Sequence, residues 1–192
     1  MIQVSFEDTE NVAENIKTFW FKTRRPVHYT PGQFTQLRLA HQNVDKRGDK
    51  RWFTLSSSPS ESLLAITTKL SQPGSSFKRS LRQLQPGTEL HLADPTGDFV
   101  LPKDASIPLI FVAGGIGITP MRSMIKWLTD MKEQRHITLL YAVNSRRELA
   151  FLPLLKHYCQ PVIILSREVN RQEATLSVGL WFLKPDDKKP GG

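Results

Sequence analysis

The sequence is poor in the residues on which several chemistries depend. Only one of its 192 residues, Cys159, is a cysteine, which excludes a disulfide framework and any multi-cysteine zinc or iron–sulfur site. Its five histidines (His28, His41, His91, His136 and His157) show no i, i+4 metal pairing, so no metal site is expected. There is no G-x-S-x-G elbow and no Gly-Lys-Ser/Thr of a Walker loop. Long apolar runs are missing too. The most apolar uncharged stretch, Ile107 to Met121, is 15 residues with two prolines and three glycines, too short and too broken to span a bilayer. The start, Met1-Ile2-Gln3-Val4-Ser5, lacks the basic-then-apolar profile of a signal peptide. These absences together read as a soluble, cytoplasmic protein in a reducing setting.

What is present is a basic surface without a basic block. Lysine and arginine number 26 against 18 acidic residues, a net charge of +8. The excess is spread evenly along the chain, which suits a solvated surface, polyanionic small molecules or an acidic partner better than a nucleic acid. With 39% hydrophobic residues the chain can bury a core.

The first hundred residues read as short strands between turns. Thr18 to Lys22 is aromatic and strand-prone, and Pro31-Gly32 is a turn signal ahead of a strand from Gln33 to Leu39. Alternation continues through Leu64, Ile66, Thr68 and Leu70, and again at Leu90 and Leu92. This spacing predicts a small antiparallel barrel, interrupted by one short helix over Phe77 to Leu84 with Ser76 as its N-cap. After about residue 103 the pattern changes. Ile107 to Ala113 is apolar on both faces, as in a buried parallel strand. A helix follows, capped by Thr119 with Pro120 in its first position and Met121, Met124, Ile125 and Leu128 on one face. Ile137 to Val143 is a second strand, Glu148 to Tyr158 a helix that Pro153 would kink, and Pro161 to Leu165 a third strand. The order β-α-β-α-β implies a parallel sheet with right-handed crossovers. The fold class is therefore α+β with two domains, an antiparallel barrel and then a parallel, Rossmann-like α/β unit. The expected bounds are 1–103 and 104–183, with a disordered tail at 184–192.

Three stretches carry candidate chemistry. Arg51-Trp52-Phe53-Thr54 ends in a serine- and proline-rich turn. An arginine there can clamp a phosphate, an aromatic can cover a ring face and a hydroxyl can reach a ring edge, although an edge strand with a surface arginine would look the same. Gly74-Ser75-Ser76 opens the short helix, where it is either a phosphate seat or a plain serine cap. Gly114-Gly115-Ile116-Gly117-Ile118-Thr119-Pro120 runs from the buried strand into the next helix. Three glycines in four residues cost stability unless the backbone there approaches a ligand such as a pyrophosphate.

Taken together these motifs resemble the ferredoxin–NADP⁺ reductase family. Arg51 to Thr54 is similar to its R-x-[FY]-[ST] flavin signature, and Pro31-Gly32-Gln33-Phe34 to its strand-opening motif. Pro95-Thr96-Gly97-Asp98-Phe99 resembles the P-x-G-x-F that closes its barrel, and Gly114 to Pro120 its G-G-x-G-x-T-P nucleotide loop. The resemblance covers roughly residues 1–170 and implies an FAD-binding barrel followed by an NADP- or NAD-binding unit. It assigns Arg51 to the flavin phosphate, Phe53 to ring stacking and Thr54 to a hydrogen bond with N5, as the tuning residue of catalysis, with Trp52 in the same stretch. Thr68 and Lys69 would run beside the ribityl–phosphate chain, and Gly74, Ser75 and Ser76 would form the pyrophosphate loop. Gly114, Gly115, Gly117, Thr119 and Pro120 would receive the nicotinamide nucleotide. Ser166 and Arg167, helped by Arg146 and Arg147, would grip a 2′-phosphate and favour NADPH over NADH.

Two departures from the family stand out. Phe53 lacks the hydroxyl of the tyrosine common at its position, and no Cys-Gly-Pro-like motif follows the third strand. The expected activity is FAD-dependent NAD(P)H oxidation with electrons passed to an iron–sulfur, haem or quinone-like acceptor. The alternative is a flavin-binding module or subunit that NAD(P)H alone cannot reduce, shortened at its C-terminus or completed by another chain.

Overall fold

The computed structural model describes residues 1–166, so Arg167, the rest of the second unit and the tail at 184–192 lie outside the described residues. Six strands form the first layer: β1 (Ile2–Ala13), β2 (Ile16–Thr23), β3 (Phe34–Arg38), β4 (Lys50–Thr54), β5 (Leu64–Lys69) and β6 (Glu89–Leu92). They pair antiparallel in the order β4-β3-β6-β1-β2-β5. The sheet curls into a barrel without closing, because β4 and β5 meet only through a single bridge, Leu55 to Ile66. Inside, Phe19, Phe21, Leu37, Leu55, Ile66 and Leu92 are fully buried. Each such side chain contributes about 1.5–3 kcal/mol on leaving water.

The 12-residue β1 was not anticipated. Its period-two pattern is broken by irregularities between Phe6 and Asp8 and between Asn11 and Ala13. Bulges of this kind put one extra residue on a strand and shift the alternation. The short helix α1 spans Ser76–Arg82, and Ser75 rather than Ser76 caps it, its Oγ accepting the Lys78 N–H at 3.2 Å.

The second layer is a parallel sheet of β7 (Leu109–Gly114), β8 (Ile137–Val143) and β9 (Val162–Leu165) in that order. Helices α2 (Thr119–Asp130) and α3 (Leu152–Tyr158) connect them. Met121, Met124, Ile125 and Leu128 face the sheet, as their spacing requires. Three local expectations change. Ile118, not Thr119, precedes the first turn of α2, and the Thr119 hydroxyl donates back to the Ile116 carbonyl at 3.1 Å. Pro153 begins α3 instead of kinking it, in the first turn where a missing N–H costs nothing. And β7 is not buried on both faces, since Ile110 and Val112 are 69% and 68% exposed.

The two layers share packing. Ile16, at the start of β2, is buried among Phe111, Ile118, Tyr141 and Leu155 of the parallel layer. Beside it the Glu14 N–H donates to the Arg147 carbonyl at 2.8 Å, and Lys69 Nζ donates to Glu148 Oε1 at 2.8 Å.

Candidate functional site

Strand β4 and helix α1 bring three of the candidate residues, Arg51, Phe53 and Ser76, to one place. The Arg51 guanidinium lies 5.1 Å from the centre of the Phe77 ring, and the Phe53 ring is 6.0 Å from the same ring. Arg51 donates to the Arg47 carbonyl at 2.7 Å and the Gly48 carbonyl at 2.9 Å, and its Nη2 meets Asp45 Oδ1 at 3.3 Å. Its Nε is buried without a partner. Asp45 Oδ2 in turn accepts the Ser76 N–H at 2.9 Å, and Oδ1 accepts the Arg47 N–H at 3.0 Å. Chiefly through these two backbone donors the Asp45 pKa falls to about 2. The Asp45 N–H donates to Ser76 Oγ at 3.0 Å, where His41 Nε2 also meets that oxygen at 3.0 Å.

Lys78 joins the cluster from α1. Burial, then the charges of Arg47 and Arg51, lower its pKa, while its ammonium donates to the Lys69 carbonyl at 2.6 Å. The charges of Arg47, Arg51 and Lys78 repel one another, and the one carboxylate of Asp45 offsets only part of that cost. With a buried guanidinium N–H still unpaired, the donor set suits a phosphate group, for which an arginine offers paired donors.

Not every residue of the expected flavin set converges here. Gly74 (φ +65°) and Ser75 form the turn entering α1, next to Ser76. Thr54 ends β4, half-buried, opposite Phe34. The backbone of Lys69 borders the cluster, but its side chain crosses to Glu148, and Thr68 is buried in β5. Trp52 points elsewhere. It is 57% exposed and stands edge-on to Phe34 at 5.4 Å, because neighbours along a strand face opposite sides.

The glycine loop lies at the carboxyl end of β7. Gly115 to Ile118 form a 3₁₀ turn that runs directly into α2, and Gly115 has φ +49°, a conformation side chains disfavour. A Cβ added at Gly114, Gly115 or Gly117 would meet no atom within 4 Å. Internal packing therefore does not demand glycine at 114 and 117, and the bare backbone faces open space. Beyond the ends of the neighbouring strands stand exposed Arg146 and Arg147, and Ser166, whose Oγ donates to Asn144 Oδ1 at 3.1 Å. Carboxyl ends of parallel strands are where open α/β sheets take nucleotides.

Three residues of this region were not singled out by sequence. Asp45 is one. The others are Glu61 and Arg122, which pair across the two layers beside the turn following Thr54. Their separation of 61 positions leaves no local signal. The run Ser56 to Ser58 reads as a polar turn, yet all three serines are fully buried there. Cys159 is half-buried, with its Sγ donating to the Leu155 carbonyl at 3.4 Å, and serves packing.

Residues 111–168 match the oxidoreductase NAD-binding domain. The chain is 31% identical over 146 residues to the glycine betaine monooxygenase reductase subunit of Chromohalobacter salexigens, covering 74% of this chain and 39% of that protein. It is 30% identical over 151 residues to flavohemoprotein A of Dictyostelium discoideum, covering 72% and 38%. The chain thus spans about two fifths of the length of the curated relatives it matches. Among solved structures, the ferredoxin–NADP⁺ reductase of Plasmodium falciparum with 2′P-AMP superposes with a TM-score of 0.78 at 19% identity, over 95% of this chain and 81% of that one.

Proposed function

We propose that the chain, with an oxidoreductase NAD-binding domain over residues 111–168 and the fold of ferredoxin–NADP⁺ reductase, is a member of that family and an FAD-dependent NAD(P)H oxidoreductase, or the electron-entry part of one. A bound flavin supplies hydride acceptance at N5 and stepwise release of electrons to an acceptor. The protein's part is binding and orientation. Arg51, with Lys78 nearby, would hold the negative charge of its phosphate beside the start of α1, where Gly74, Ser75 and Ser76 stand, and Phe53 would offer an aromatic face. Thr54, at the end of the same strand, contributes a hydroxyl for the ring edge. The open backbone of Gly114, Gly115 and Gly117 leaves room for a pyrophosphate above β7, with Thr119 and Pro120 starting the helix behind it. Ser166, Arg146 and Arg147 lie at the edge where a 2′-phosphate would distinguish NADPH from NADH. No strong acid or base is required, because such catalysis rests on placing two cofactors in contact.

The observation that carries this reading is the Arg51 guanidinium against Phe77 and beside Phe53, its Nε buried without a partner, with the charges of Arg47 and Lys78 close by. Reconstitution with FAD, followed by chromatography of the extracted cofactor and anaerobic mixing with NADPH and NADH, tests it. Bleaching of a yellow protein is the expected result. Protein that stays colourless after incubation with excess FAD or FMN refutes it. One observation favours the narrower role of a flavin module awaiting a partner. Ile110 and Val112, on the strand that carries the glycine loop, are uncovered by any described residue. A yellow protein that neither nucleotide bleaches would support that role. The acceptor fits the reductase components among the relatives, an oxygenase, haem or iron–sulfur protein.

A further inference from the structure

Arg122 is buried to 9% exposure, yet it belongs to neither expected binding site. It projects from the first turns of α2, three residues after Thr119. Its Nη2 donates to Glu61 Oε1 at 2.9 Å, Nη1 contacts Glu61 Oε2, and Nη1 also donates to the Ser56 carbonyl at 2.9 Å. The guanidinium lies 5.7 Å from the ring centres of both Trp20, in the barrel, and Phe151, in the parallel layer. Phe151 takes φ +61° before α3, a conformation costly for an aromatic residue. Glu61 Oε2 accepts the Ser58 N–H at 2.7 Å, and Ser123 Oγ donates to the Ser57 carbonyl at 2.5 Å. Every donor and acceptor of this junction acts on the turn Ser56 to Glu61, which begins two residues after Thr54.

A buried ion pair contributes little net stability over an apolar contact of the same shape, so stability alone explains poorly why charges stand here. What the pair does supply is fixed geometry, because a planar fork against a carboxylate and a carbonyl allows one arrangement. We propose that Arg122, paired with Glu61, is a positioning residue that sets the glycine loop against Thr54 and thereby the contact between nicotinamide and flavin. The covalent route is short on both sides, Thr54 to Ser56 and Arg122 back to Thr119, so little slack separates the junction from either site. The inference rests on the oxidoreductase reading above and adds the device that aligns its two halves.

The test compares wild type, Arg122→Lys and Arg122→Gln, each reconstituted with FAD. Flavin Kd, the NADPH dependence of anaerobic flavin reduction, and hydrogen exchange over 56–61 and 115–123 are measured. For Arg122→Gln the expectation is reduction about 100-fold slower at saturating NADPH, the scale of a misplaced reactant. Flavin Kd stays within about twofold, as for a distant independent site, and exchange rises in both segments. Arg122→Lys recovers part of the rate, since lysine keeps the charge but not the fork. That variant also decides the matter if the glutamine protein does not fold. A rate equal to wild type in the lysine and glutamine variants overturns the inference. So does a loss that tracks weaker flavin binding, which would mark a general structural role. Wild-type flavin that NADPH does not reduce overturns the oxidoreductase reading itself, and the inference with it.

Discussion

Phe19 and Phe21 of β2 are fully buried, while Ile110 and Val112 of β7, equally apolar, stand 69% and 68% exposed. Strands such as β3 and β6 alternate buried and exposed residues, so one curled sheet encloses their apolar side chains and turns polar ones to water. Strand β7 is apolar on both faces, and α2 and α3 cover only one of them. The contrast shows what each pattern asks for. Alternation is satisfied by the strand's own sheet, whereas a doubly apolar strand needs two covering layers, and the described residues supply one.

The comparison can be broken most forcefully in the barrel. Phe19→Ala should cost about 4 kcal/mol, the range for truncating a large buried aromatic, read by urea unfolding. A loss below about 1 kcal/mol would mean that the barrel core is not the anchor described. Ile16→Ala sharpens the picture, since this barrel residue lies in the other core. About 3 kcal/mol is expected, with hydrogen exchange rising first in β7 and β8; a rise confined to β5 and β6 would contradict the shared packing.

Arg51→Ala should weaken FAD binding about 10- to 100-fold, the worth of charge-assisted hydrogen bonds to a phosphate, while riboflavin affinity changes little. Equal effects on both ligands would place the arginine elsewhere. Asp45 gives a pH signature. Its pKa is lowered in the folded chain, so its contribution is complete above the ordinary carboxylate value of 3.8 and is lost as pH falls through about 2. A carboxyl titration by NMR with its midpoint near 4 would deny the Ser76 contact. Ile110→Thr is expected to be the mildest change, within about 0.5 kcal/mol, because the side chain is already in water. A larger loss would show that this face is covered.

Much of this was legible in the residues. An aromatic run and period-two alternation located four of the six barrel strands, continuous apolar runs the parallel strands, and i, i+3, i+4 spacing the apolar face of α2, because burial imposes those patterns. Glycines at 114, 115 and 117 marked the loop, and Arg51 with Ser76 marked the anion cluster. What escaped had physical reasons. Bulges disguised β1, and Ser75 and Ser76 are equally good caps by composition. Two apolar faces on Ile107 to Ala113 state a need for cover without stating who provides it. Asp45, Glu61 and Arg122 take their meaning from partners distant in sequence, and one chain without its relatives carries no record of such pairs.

The buried Ile16 has a consequence for anyone recombining these halves. The polypeptide passes from one layer to the next between Leu92 and Leu109, but the seam in space runs elsewhere, since Ile16, with Val12 and Ala13 beside it, packs into the core of the parallel layer. A chimera spliced at the linker would leave one fragment with a greasy prong and the other with a vacancy. Domain exchange in this scaffold succeeds only when residues 12–16 are matched to the α/β half they plug.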